Sequence, residues 1–149
     1  MRTRTSTLIA LTFLFIFVFS GCKKDNSTAP TPTIITGSIE PALTTGTWRV
    51  GTFIDNGTDK TNNFMDFKLE FKKDGIVTAT KNDKIFTGSW WSDNQAGRLK
   101  LNMDFVNDGG FEDITHDWTV MQQSSTQIQL SHMNGEAADF LTLNKNLIK

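Results

Sequence analysis

The sequence predicts an all-β domain: eight antiparallel strands in an up-and-down barrel, with a β-sandwich as the second arrangement. Three observations predict it. Phe67-Lys68-Leu69-Glu70-Phe71-Lys72, Leu99-Lys100-Leu101-Asn102-Met103-Asp104-Phe105 and Gln127-Ile128-Gln129-Leu130-Ser131-His132 alternate apolar and polar residues, the period of a strand with one buried and one wet face. Clusters of Asn, Asp, Gly and Ser separate the apolar runs. No long run of the exported part has a helical period.

Taken in order, the strands are expected near residues 46–54, 65–73, 76–81, 85–92, 98–106, 117–122, 127–132 and 139–145. The breaks at residues 55–57, 73–75, 82–83, 93–97, 107–110 and 123–125 are rich in residues that tolerate positive φ. Such short links require antiparallel neighbours, because a parallel pair needs a crossover of about a dozen residues or more. Residues 111–116 read as one helical turn leading into Trp118. Closing the meander into a barrel removes its exposed edges.

The chain before the domain has a different character. Arg2 and Arg4 precede an apolar run over residues 8–19, in which Thr12 is the only polar residue. That matches the central region of a secretory signal and is shorter than the roughly 20 residues of a membrane span. Ser20-Gly21-Cys22 closes the run and resembles the lipobox of bacterial lipoproteins, although Phe19 stands where that motif prefers Leu. The resemblance implies cleavage after residue 21 and lipidation of Cys22, the sole cysteine of the chain. Acyl chains add about 0.8 kcal/mol per buried CH₂, and two or more anchor stably.

Three segments follow: a signal peptide at 1–21, a lipidated cysteine and flexible tether at 22–44, and a barrel domain at 45–149. The tether holds all three prolines of the chain among Ser, Thr and Asn, a composition that builds no core. Lys23 follows the cysteine where inner-membrane retention would place Asp, so the outer membrane is the expected destination, with the leaflet open. Loss of Arg2 and Arg4 with the leader leaves thirteen basic and sixteen acidic residues, a net charge of −3. A weakly acidic chain without a basic tract argues against nucleic-acid binding.

Gly46-Thr47-Trp48-Arg49-Val50, Phe71-Lys72-Lys73-Asp74-Gly75, Gly88-Ser89-Trp90 and Asp117-Trp118-Thr119-Val120, with Leu130 downstream, follow one another over residues 45–145. Together they resemble the lipocalin-like domain lipoproteins of Bacteroidetes-type bacteria. The resemblance implies a small barrel whose first tryptophan packs across a closed end. The domain is shorter than a classical lipocalin and lacks its C-terminal helix and disulfide, so what carries over is the fold, not a ligand.

No catalytic signature of hydrolases, nucleotide-binding loops or zinc proteases is present, and a non-enzymatic protein without cofactor or metal is expected. Glu112, Asp113, His116 and Asp117 form the densest acidic and imidazole cluster, read as a solvated turn. Residues 104–113 lack the ligand spacing of a calcium loop. By parity Trp48, Phe67, Phe71, Phe86, Trp90, Phe105 and Trp118 face inward, and Trp91 faces out. An eight-strand barrel is either filled by side chains or holds one small ligand. The expected function is accordingly a membrane-anchored binding or accessory protein for a small apolar ligand, with Trp90, Gln122 and His132 lining the lumen. The alternative is a side-chain-filled barrel that contacts another envelope protein.

Overall fold

The computed structural model describes residues 37–105 and 110–147. The expected signal peptide, Cys22 and most of the tether lie outside the described residues. The chain forms a short helix α1 (Glu40–Leu43) and nine strands: β1 (Trp48–Asp55), β2 (Thr58–Asp59), β3 (Lys68–Phe71), β4 (Ile76–Lys81), β5 (Lys84–Gln95), β6 (Arg98–Asp104), β7 (Asp117–Gln123), β8 (Gln127–Asn134) and β9 (Ala137–Lys145). All pairings are antiparallel. β9 returns to β1 over the register Trp48↔Lys145 to Ile54↔Phe140, which closes β1 and β3–β9 into an eight-stranded barrel and excludes the sandwich.

β2 is additional to the eight expected strands. Asn56 and Gly57, at φ 48° and 77°, make a two-residue turn of the type that matches strand twist and fold β2 back on β1. The same device at Ala96-Gly97, φ 49° and 76°, lets β5 run to Gln95 through residues expected to be a turn. β1 meets β3 only at Trp48↔Leu69, because its second half is occupied by β2 and by the following 3₁₀ turn Thr61–Phe64.

Alternation along the strands sends Leu69, Phe71, Val77, Ala79, Trp90, Leu99, Leu101, Met103, Trp118, Ile128, Leu130, Leu141 and Leu143 into one continuous apolar core. Phe67 and Phe86 pack against it, and Trp91 is half exposed, as parity predicts. At Gly88 the sheet comes unusually close to its neighbour. A Cβ there would lie 2.5 Å from the Asp104 carbonyl oxygen and 2.9 Å from the Phe105 ring, so only glycine lets β5 lie this close to the end of β6.

Both ends of the barrel are closed by the chain itself. At one end Ile39 and Leu43, four residues apart across α1, are fully buried, and the Trp48 indole Nε1 donates to the Leu43 carbonyl at 2.9 Å. The ordered domain thus begins before residue 45. Apolar residues at i and i+4 with a proline in the first turn suffice to build a cap from a segment whose composition reads as tether. At the other end Phe111 and Ile114 are buried with the 3₁₀ turn Glu112–Ile114. Phe111 meets Phe64, Phe67, Phe86 and Phe105 at ring-centroid distances of 5.3, 5.0, 5.2 and 4.8 Å. Lys60 bridges Asp55 on β1 and Asp113 beside this plug.

Candidate functional site

The three side chains expected to line a lumen do not converge. Trp90 is buried, and its Nε1 donates to the Lys72 carbonyl at 2.8 Å, while its ring meets Phe71 edge-on at 5.8 Å. Its polar handle is therefore consumed by the fold. Gln122 is exposed to solvent, contrary to the parity expectation. The cause is a bulge between Val120 and Gln122, which inserts Met121 and reverses the facing of every residue after it. Gln123 takes the inward place opposite Ile128, and its Oε1 is buried without a hydrogen-bond partner among the described residues.

His132 keeps its inward parity and sits at the Phe111 end of the barrel. Its Nδ1 lies 3.0 Å from the Asp117 carboxylate and 3.2 Å from the Asp117 carbonyl. Its ring stacks on His116 at 4.4 Å with 13° between planes, and Trp118 stands edge-on to both imidazoles. Gln129, not His132, lies opposite Gln122, so the amide and the imidazole cannot satisfy each other.

Asp139 joins this cluster and was not singled out by motif. It lies directly across from His132, is 1% exposed, and accepts the Asn56 backbone N–H at 2.8 Å. Parity with Leu141 and Leu143 was the available signal. Burial pushes the His116 imidazole below its ordinary pKa, the charge of His132 adds to this, and Asp139, Asp117 and Asp55 oppose it. For Asp117, burial would raise the carboxyl, but the Lys100 ammonium at 3.1 Å and His132 outweigh it and the net shift is downward.

The acidic cluster around residue 112 disperses. The Glu112 carboxylate accepts from the Gly110 N–H, Asp113 pairs with Lys60, and Asp117 pairs with Lys100 and His132. Among the described residues no group of three His, Cys, Asp or Glu is placed to hold a metal ion. The imidazole–carboxylate cluster fixes the rim of the barrel through the His132–Asp117 contact and the stacked imidazoles.

Exposed apolar side chains supply the other surface features. Phe140 on β9 faces Ile54 on β1 and Ser131 on β8. Met133, paired with Ala138, is 64% exposed and Phe140 is 50% exposed, so these residues form an apolar patch on the outer wall. Trp91 stands on β5, separated from that patch by β6 and β7 on one side and by β4 and β3 on the other.

No family model matches the chain, and no curated protein is significantly similar to it. Among solved structures the chain is similar to a crystal structure of a DUF4847 family protein from Bacteroides vulgatus, with a TM-score of 0.54 and 17% identity. The match covers 73% of this chain and 98% of the other. At that identity the likeness establishes a shared barrel fold with a Bacteroides protein, and only the fold.

Proposed function

We propose that the protein is a non-enzymatic accessory lipoprotein of the outer membrane, anchored through Cys22, whose filled barrel acts through its outer wall on another envelope protein. The observation that carries this reading is the closure of both barrel ends by the chain's own side chains: Ile39, Leu43 and Trp48 at one, Phe111 and its four phenylalanine neighbours at the other. The solvent-facing Gln122 and the internally satisfied Trp90 N–H weigh against a small apolar ligand in the lumen. The Ile54–Met133–Phe140 patch is the apolar surface offered to a protein partner, since contiguous exposed apolar area marks contact sites.

Native mass spectrometry of the protein purified from its host tests the filled barrel. The expected mass is that of the lipidated polypeptide with nothing retained. A stoichiometric apolar small molecule inside the domain would sink the reading. Photo-crosslinking from position 140 in intact cells tests the surface. A discrete protein adduct at 140, absent from a crosslinker at Thr78 on β4, is expected, and equal labelling from both positions would count against the patch.

A further inference from the structure

The outer face of β5 and β6 carries a second feature, distinct from the apolar patch. Beyond Gly88, β5 points Ser89, Trp91, Asp93 and Gln95 outward, opposite Asp104, Asn102, Lys100 and Arg98 of β6. Trp91 is 50% exposed; on one flank Ile76 of β4, across from Ser89, is 37% exposed, and the neighbours of Trp91 on β5 and β6 are polar or charged. Two of their atoms have unused hydrogen-bonding capacity. Asp93 Oδ1 and Asn102 Nδ2 are buried and have no partner among the described residues, and Asn102 as a whole is only 6% exposed. Lys100, directly across from Asp93, is instead drawn to Asp117 at 3.1 Å. A buried polar group left unpaired is destabilising, so the pair is a standing demand for one donor and one acceptor beside an exposed indole.

We propose that this face is a glycan-binding subsite, in which the Trp91 indole stacks on the C–H face of a pyranose ring while Asp93 and Asn102 hydrogen-bond its hydroxyls. A hydroxyl both donates and accepts, so adjacent sugar hydroxyls meet a carboxylate acceptor and an amide donor at once. Gln95 Nε2 donates to Asp93 Oδ2 at 3.4 Å, a long contact that leaves Oδ1 unused, and the broad terminal torsions of Asp and Asn allow both groups to turn toward a ligand at the ring's edge. One apolar side chain, Ile76 of β4 across from Ser89, borders the indole, too little for the packed apolar surround of a protein hot spot, and the unpaired atoms of Asp93 and Asn102 favour a ligand rich in hydroxyls. Lys100 is committed to Asp117, so Asp93 meets a ligand as a hydrogen-bond acceptor rather than as half of an ion pair, a role that a sugar hydroxyl fills.

The test uses the full-length chain in a sugar-free zwitterionic detergent, titrated with cellohexaose, xylohexaose and the hexamer of N-acetylglucosamine. Trp48, Trp90 and Trp118 are buried, so a change in the solvent-exposed emission reports Trp91. At least one oligosaccharide is expected to shift that emission with half-saturation near or below about 1 mM. Isothermal calorimetry then reads the variants: Trp91→Ala and Asp93→Asn each weaken binding about tenfold or more, and Trp91→Phe, which keeps a stacking ring, weakens it less. Unchanged urea midpoints are expected, because these side chains lie outside the core; if Trp91→Ala does unfold, Asp93→Asn and Trp91→Phe still decide the matter. No binding of any of the three sugars at about ten times that concentration overturns the proposal, as does binding that survives both Trp91→Ala and Asp93→Asn. The crosslinking result at position 140 is independent of either outcome.

Discussion

Phe111→Ala is the sharpest probe of whether the barrel is filled by design. The side chain is 2% exposed and touches four phenylalanine rings whose centroids lie 4.8 to 5.3 Å away. Truncating a buried phenylalanine costs about 3–5 kcal/mol, part from lost transfer energy and part from the cavity left behind. The ring–ring terms, about 0.5–1.5 kcal/mol per pair, largely overlap that range, so about 4 kcal/mol is the expected loss. With a urea dependence of about 2 kcal/mol/M for a small domain, the midpoint falls by roughly 2 M. The hole that remains is ring-sized and lined by phenylalanines, and such cavities stay dry and take up benzene; added benzene should restore part of the midpoint. Trp91→Ala on the outer wall serves as the control and should stay within about 0.5 kcal/mol of the parent. A Phe111→Ala midpoint that moves by less than about 0.5 M would refute the reasoning, because it would mean that this end of the barrel is soft or open and the plug contributes little.

Three further outcomes are expected. Gly88→Ala forces β5 away from the Asp104 carbonyl and should destabilise the domain by about 1–3 kcal/mol, the usual cost of overpacking, read as a lower thermal midpoint; an unchanged midpoint would show that β6 yields freely. The folded His116 imidazole has a depressed pKa, so the unfolded chain takes up its proton first as pH falls. Stability is therefore lost on going below about pH 6.5, and His116→Gln should flatten that decline; parallel urea-midpoint curves for the two proteins between about pH 7 and 5.5 would contradict the assignment. Cys22→Ala should abolish incorporation of an alkyne palmitate analogue and leave the leader uncleaved, whereas a processed, labelled variant in the membrane fraction would exclude lipidation at Cys22.

The eight strands were legible because each carries enough alternating residues to state its own inner face: Leu99, Leu101 and Met103 on β6, or Ile128 and Leu130 on β8, leave no freedom of register. The ends of the barrel were not legible in the same way. Ile39 and Leu43 sit in a Thr- and Pro-rich segment, and only the presence of the Trp48 indole beneath them makes a one-turn helix worth forming. The plug residue Phe111 belongs to no alternating run, so nothing local says that it must be buried; its partners come from β5, the residue after β6, the approach to β3 and a 3₁₀ turn.

The site residues fared according to the same physics. Parity carries a side chain's facing along a strand only while the ladder is unbroken, and Val120-Met121-Gln122-Gln123 contains the break. Because two glutamines stand side by side there, the composition is the same whichever of them turns inward, and only the pairing with β8 decides. Trp90-Trp91 shows the opposite case. Adjacent residues of a strand point to opposite faces, so two neighbouring tryptophans oblige one indole to stand outside whatever the register. The outer positions of β5 around the ring are Ser89, Asp93 and Gln95, with Thr87 and the exposed Ile85 further along the strand, and none of them gives the ring a packing use. The position therefore argues for a contact made by the indole itself, and the unpaired atoms of Asp93 and Asn102 beside it point to the polar character of what that contact must bring.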